Sequence, residues 1–331
     1  MSRDHTIVCF GEALIDFLAT PADAGEARVF RQFAGGAPAN AAVAIARLGG
    51  RSEFVGMLAN DMFGDFLLES LREAGAGVRF VRRTPQANTA LAFVSLDDQG
   101  ERSFSFYRPP AADLLFRASD FDPACMASAS IFHACSNSLT DPDIATATLA
   151  GMAMARAAGA LLSVDLNLRP ALWPQGEPSF QVLRQALEAA DLVKLSREEL
   201  DHLRRDGHQD EDAVIARLLR HARVVVVTDG SAPMRWSTRA ARGELPALLV
   251  RPVDTTAAGD AFTGGLLVQL QRDGIDAASF DAFLSDLPGI ERWLRYASAC
   301  GALAVTRHGA FAALPTHEEA SALLADTATA A

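Results

Sequence analysis

The sequence predicts an α/β fold, a three-layer α/β/α sandwich with a central, mainly parallel sheet and a small β-sheet lid. Three observations carry that reading. Strand-length apolar runs alternate with amphipathic helical stretches, two segments show two-residue alternation instead, and 331 residues that are 50% hydrophobic and 21% charged can build a large core. The alternation begins with a strand at 6–10 and a helix at 38–48, then a strand at 53–55 and a helix at 61–74, then a strand at 131–134 and a helix at 141–158. It continues with strands at 161–165, 192–194 and 224–228, a helix at 196–204, and two late helices, one carrying Asp260 and one around 290–304. Such an order implies parallel strands joined by right-handed crossovers, with a ligand at their carboxyl ends. The two exceptions, 17–33 and 89–107, alternate as in Ala90-Leu91-Ala92-Phe93-Val94 and turn at Asp97-Asp98-Gln99-Gly100. They are expected to pair as antiparallel strands into a lid over the strand ends, within a single domain spanning 1–331. The alanine-rich tail after Leu324 is expected to fray.

Charge and composition narrow the function. A net charge of -11 argues against nucleic acid or an anionic membrane as partner, since either needs a basic face. No segment is long and apolar enough to span a bilayer, and the apolar run at 7–10 is cut by Gly11-Glu12, too soon for a signal-peptide core. Cys9, Cys125, Cys135 and Cys300 lack paired spacing and read as small buried hydrophobes of a reducing compartment. The seven histidines form no HExxH or Cys/His cluster, which argues against a structural zinc. A cytoplasmic enzyme is the expectation.

The most informative stretch is Asp254-Thr255-Thr256-Ala257-Ala258-Gly259-Asp260-Ala261-Phe262-Thr263-Gly264-Gly265. The apolar run Leu248-Leu249-Val250 precedes it, and Phe262, Leu266, Leu267 and Leu270 follow at helical spacing, so the element reads as strand, tight loop, helix. Free N–H groups of residues 257 to 259 at the helix N-terminus can point at a phosphate, favoured by the macrodipole and by the lack of bulk. A carboxylate beside such an anion hole repels the anion, so Asp260 suggests chemistry: it can orient a hydroxyl and take its proton in phosphoryl transfer. Taken alone, an aspartate in the first helical turn is equally explained by the dipole.

Five further motifs fall where the predicted strands end. Gly35-Gly36-Ala37-Pro38-Ala39-Asn40 opens a helix with proline at its first position, and Asn40 offers both a donor and an acceptor to a polyol. Asp16 is a lone acid among apolar residues, able to accept two sugar hydroxyls or to cap a turn. Asp165-Leu166-Asn167-Leu168-Arg169-Pro170 brings three polar groups to one strand end, where Arg169 can hold a phosphate or a sugar edge, or form a structural ion pair. Lys194-Leu195-Ser196-Arg197-Glu198-Glu199 contains a capping box, Ser196 with Glu199, which needs no function; Thr228-Asp229-Gly230 reads as a strand-end turn. Neither GxxxxGK[ST] nor GxGxxG occurs, so any ATP is bound without a Walker loop or a dinucleotide fingerprint.

Together these residues resemble the PfkB, or ribokinase-like, family of carbohydrate kinases, and the resemblance covers essentially the whole chain. Gly35-Gly36 with Asn40 is similar to the first family signature and Asp254 through Asp260 to the second, which is highly specific. The segments 10–17, 100–108, 112–113, 167–174 and 193–196 are similar to bacterial fructokinases. The resemblance implies Asp260 as base with Gly259, Ala258 and Ala257 as anion hole. It implies Asp16, Gly35, Gly36, Asn40, Phe106, Arg108, Asn137 and Arg169 for the sugar, and Lys194, Glu199, Thr228, Gly230 and Ala302 for ATP. It also implies Mg²⁺ held through water near Glu199 and K⁺ among carbonyls near Asp254, Thr256 and the loop Arg307-His308-Gly309; the projecting small sheet leads us to expect a homodimer through the lid. Ala257 stands where glycine is commoner, and its N–H is retained provided the backbone needs no positive φ. Ser196 replaces an asparagine of the family pattern, and Ser231-Ala232-Pro233 lacks a usual second glycine. The acceptor implied is fructose; 2-keto-3-deoxygluconate, ribose or a riboside are alternatives within the family, and a non-catalytic sugar-binding regulator is the distant one.

Overall fold

A computed structural model describes residues 5–19, 27, 29–96 and 102–329. Its strands in chain order are β1 (Thr6–Phe10), β2 (Leu14–Ala19), β3 (Phe30–Gly35), β4 (Ser52–Val55), β5 (Met57–Ala59), β6 (Arg82–Thr84), β7 (Leu91–Leu96), β8 (Arg102–Tyr107), β9 (Ala129–Cys135), β10 (Leu161–Asp165), β11 (Leu192–Ser196), β12 (Val224–Asp229), β13 (Ala232–Thr238) and β14 (Arg242–Leu245). The large sheet has the order β14-β13-β12-β11-β10-β9-β1-β4; β12 through β4 pair in parallel, while β13 and β14 add antiparallel at one edge. The chain moves from β1 outward to β4 and later returns to β1's other side with β9. The order therefore reverses beside β1, the place where open α/β sheets leave a crevice at their carboxyl ends.

The strands are apolar on both faces because each face meets a helical layer. Ile7, Cys9, Val224 and Val226 join the core beneath the helices Ala37–Arg47, Ala258–Arg272 and Leu287–Ala304. Val8, Phe10, Val225 and Val227 point the other way, into the core shared with Phe116, Phe121 and Phe132. Three layers result from the two-residue period of the strands.

The two alternating segments form a second sheet of order β3-β2-β7-β8. The outer pairs are antiparallel as expected, but the central pair, β2 and β7, runs parallel. The expected turn at 97–100 lies outside the described residues. Pairing sets Asp16 opposite both Phe33 and Ala92, and Ala92 opposite Phe106, so Asp16, Phe33 and Phe106 share one face. Phe17, Phe93 and Tyr107 share the other.

Two expectations are corrected. Leu248-Leu249-Val250 is not a strand: β14 ends at Leu245, the run between Pro246 and Pro252 has no regular structure, and Leu249 is 83% exposed. The prolines bracket it and supply no N–H for a ladder. The tail after Leu324 does not fray at once, because the helix His317–Thr329 continues through it, favoured by alanine's propensity.

Phe10 is fully buried, with ring centroids 5.0 Å from Phe116 and 4.8 Å from Phe121. Replacing Phe10 with alanine is expected to cost about 3–5 kcal/mol, read as a lower midpoint in chemical denaturation.

Candidate active site

Two carboxamides grip the carboxylate of Asp260. It lies in the first turn of the Ala258–Arg272 helix, 7% exposed. Asn40 Nδ2, from the first turn of the Ala37–Arg47 helix, donates to Oδ2 at 2.7 Å, and Asn167 Nδ2, just past β10, donates to Oδ1 at 2.9 Å. Burial raises the carboxyl to about 7 and Asp165 adds to the rise, against the Asn40 hydrogen bond, Lys194 and Arg169. A carboxylate with such a value changes its charge near neutrality, as a general base requires.

The loop before it is held by the protein at its edges and open in the middle. Thr256 N–H donates to Asp254 Oδ1 at 2.7 Å and Gly309 N–H to Asp254 Oδ2 at 3.0 Å, so one buried acid fastens the 254–257 loop to the 307–309 loop. The N–H of Ala258 reaches back to Thr255 O at 3.4 Å, a long contact that closes the turn. The anion hole expected of 257 to 259 therefore has two open donors, Ala257 and Gly259, which meet no protein acceptor among the described residues, and a third that is loosely engaged.

Ala257 also departs from expectation in its backbone. It has φ 59° and ψ 8°, the left-handed region, which its Cβ makes costly by about 1–2 kcal/mol. Tightness of the turn requires it, and the burden falls next to the chemistry. Gly259 meets a different demand: a Cβ there would come 2.9 Å from Lys194 Nζ. That ammonium is buried and bonded to Asp165 at 2.9 Å and 3.1 Å, while Thr263 Oγ donates to the same acid at 3.0 Å. Burial opposes the charge on Lys194, yet Asp165, Glu199 and Asp260 together hold it above the ordinary lysine value. Positive charge thus stands directly behind the anion hole.

On the sugar side, Asp16 is raised to about 7 by burial, then by Asp260 and Asp254, against Arg169. Arg169 itself is exposed and stands beside both carboxylates. Gly36 has φ 104°, and a Cβ there would meet Glu12 O at 2.6 Å, so the turn into the helix admits glycine alone. Gly35 lies against Asp16 in the paired strands. Asn40 offers the sugar less than expected: its donor is committed to Asp260, and Oδ1 remains as a buried acceptor without a partner. Asn137 repeats the pattern, with Nδ2 on Glu12 Oε1 at 3.0 Å and Oδ1 unpartnered. Orphan buried acceptors call for a ligand rich in O–H donors.

Other predicted residues sit differently. Arg108 is buried, with Nε on Asp113 at 2.8 Å, Nη2 on Asp113 at 2.5 Å and Nη1 on Thr140 at 3.0 Å, which anchors the foot of β8. Glu199 accepts Leu168 N–H at 2.8 Å and Ser196 N–H at 2.7 Å, so the capping box also holds the 166–169 loop. Thr228 ends the ladder beside Ser196, with Oγ 3.4 Å from Leu195 O, and Gly230 lies in the open turn that follows. Ala302 belongs to the Leu287–Ala304 helix, whose Gly301 packs on Ala258. Among the described residues no group of three or more His, Cys, Asp and Glu side chains could hold a metal.

Sequence reasoning assigned no role to Glu12 or Asn167. Glu12 is 1% exposed, accepts Ala37 N–H at 3.1 Å and is raised by burial, against Arg108 and Asn137. Its signal was available: it is the acid directly after β1, where the strand order reverses.

A family model for "pfkB family carbohydrate kinase" matches residues 4–317. The chain belongs to that family. It is a phosphotransferase that acts on a carbohydrate hydroxyl. It is 39% identical over 326 residues to probable fructokinase-5 of Arabidopsis thaliana, covering 98% of both chains. The crystal structure of fructokinase with bound ATP from Xylella fastidiosa superposes with a TM-score of 0.94 at 54% identity, covering 98% of this chain and 99% of that one. Fructokinase from Vibrio cholerae O395, in its fructose, ADP and calcium ion bound form, gives a TM-score of 0.84 at 32% identity, covering 98% and 100%.

The strain at Ala257 predicts a graded response. Ala257→Gly relieves the left-handed penalty but adds about 0.5–1 kcal/mol of unfolded-chain entropy, so stability should change by less than about 1 kcal/mol. Ala257→Val should lose about 1–2 kcal/mol and turnover with it, as measured by denaturant unfolding and initial rates.

Proposed function

We propose that the chain is an ATP-dependent fructokinase that converts D-fructose to fructose 6-phosphate. The observation that carries this reading is the buried carboxylate of Asp260 beside the N–H groups of Ala257 and Gly259, which have no acceptor among the described residues, with Lys194 behind them. The likeness to proteins named as fructokinases supports the acceptor. Asp16, Gly35, Gly36, Asn40, Asn137 and Arg169 hold the sugar, with Phe106 covering it from the lid formed by the second sheet. The sugar's C6 oxygen attacks the γ-phosphorus of ATP. A new O–P bond forms as the bond to the β–γ bridging oxygen breaks, ADP departs, and the hydroxyl proton passes to Asp260. Ala257 and Gly259 N–H groups, with the looser donor of Ala258, stabilise charge on the moving group.

Mg²⁺ bound with the ATP phosphates would neutralise their charge. Glu199, whose oxygens already accept two backbone donors, would hold it through water, and Thr228, Gly230 and Ala302 would flank the nucleotide. The two loops fastened by Asp254 offer carbonyls of 254, 256 and 307–309 to K⁺. The lid's other face, where Phe17 and Phe93 stack at 5.1 Å and Tyr107 is 67% exposed, supports a homodimer. Four buried free cysteines fit a reducing, cytoplasmic setting.

A sugar panel of fructose, 2-keto-3-deoxygluconate, ribose and a riboside, read by coupled ADP release, tests the reading. Fructose should give the highest kcat/KM, and release with none of them would leave only a sugar-binding regulator. Asp260→Asn should lower kcat by roughly 10²–10⁴-fold with little change in thermal unfolding. Because the base must be ionised and burial raises it to about 7, kcat/KM should fall as pH drops through about 7. A flat profile down to pH 5 would contradict that assignment.

A further inference from the structure

Asp260 takes one carboxamide from each side, and the two are not equivalent. Asn40 has a second task, since its Oδ1 is left to the sugar. Asn167 is tied to the surrounding loops instead: its own N–H donates to Asp165 Oδ1 at 3.2 Å, its carbonyl accepts Ser136 Oγ at 3.4 Å, and its Nδ2 donates to Asp260. It is 7% exposed and holds φ 39°, a left-handed conformation that asparagine tolerates and that most side chains do not. That conformation directs the amide across the crevice, joining the end of β10 to a helix 93 residues further along the chain.

We propose that Asn167 is a positioning residue for the reaction, which fixes the plane of the Asp260 carboxylate and keeps it in the ionised form that accepts the sugar proton. The proposal rests on Asp260 acting as the base. A donor on each oxygen prevents rotation of the carboxylate about its Cβ–Cγ bond, and a proton on Oδ1 would have to displace the Asn167 bond. The proton is therefore received on a lone pair that faces the sugar, with the carboxylate already aligned. The remaining charged and titratable groups facing Asp260 come from several elements: Asp165 from β10, Lys194 from β11, Arg169 from the loop after β10, Asp16 from β2 and the Cys135 thiol from β9. Substitution at 167 leaves all of them in place.

Two variants suit the backbone. Asn167→Gly accepts the positive φ and removes the donor; Asn167→Asp keeps shape and conformational tolerance, removes the donor and adds an acid. An N–H bonded to a carboxylate favours its ionised form, so losing it raises the value at which Asp260 titrates. The acid limb of kcat/KM for fructose should move to higher pH in N167G, and further in N167D. Turnover should fall about 10–100-fold in N167G, with KM for fructose changed by less than about 3-fold. Thermal unfolding of both variants checks the fold, and N167D carries the test if N167G is unfolded. A fall in turnover with an unmoved acid limb would reduce Asn167 to fold support and overturn the proposal, as would rates within 2-fold of the parent. Near-parental turnover in D260N would instead remove the base itself, so the two failures are told apart.

Discussion

A carboxylate and a phosphoryl group repel each other, and the site is organised around keeping both within one small volume. Asp260 is dry, so its charge is costly; two carboxamides and the nearby cations Lys194 and Arg169 lower that cost without abolishing it. The phosphate side is served separately, by main-chain donors at a helix N-terminus, with Lys194 close enough behind that position 259 has no room for a side chain. Lys194 serves both halves. Its ion pair with Asp165 fixes it, and Asp165 in turn receives Thr263 and Asn167, so one buried acid at the end of β10 orders most of the constellation.

The large sheet supplies this order because its strands end together. Glu12 follows β1, Asn137 follows β9, Asn167 and Arg169 follow β10, and the Ser196–Glu199 box follows β11. Reversal of strand order beside β1 opens the crevice they line, and the second sheet carries Asp16 over it.

Much of this was legible in the residues. The parallel strands were readable because both faces are buried and the runs are continuously apolar, and the Asp254–Gly265 stretch was readable because small residues and an acid meet at a helix start. What escaped depends on partners distant in sequence. Asn167 lies in a motif whose polarity was evident, but that its amide meets Asp260 is a fact of tertiary placement. Ala257's positive φ contradicted its side chain, since local preference gave way to the geometry of the loop. Leu248-Leu249-Val250 misled for the opposite reason: hydrophobicity signalled a strand, while two prolines and exposure to solvent withheld the pairing. Strand β13 does alternate, burying Met234 and Trp236, but the run is short and the four-residue β14 beside it buries only Leu245.

The bond from Asn40 to Asp260 spans 220 residues. The two helices that carry these residues pack against each other in one core, so the reactive centre does not exist in any fragment that ends before Asp260. A chain that stops short of it has the sugar-facing residues Asp16, Asn40 and Asn137 but no base, and cannot transfer a phosphate. Chemical competence thus belongs to the whole chain and depends on its last quarter being in place.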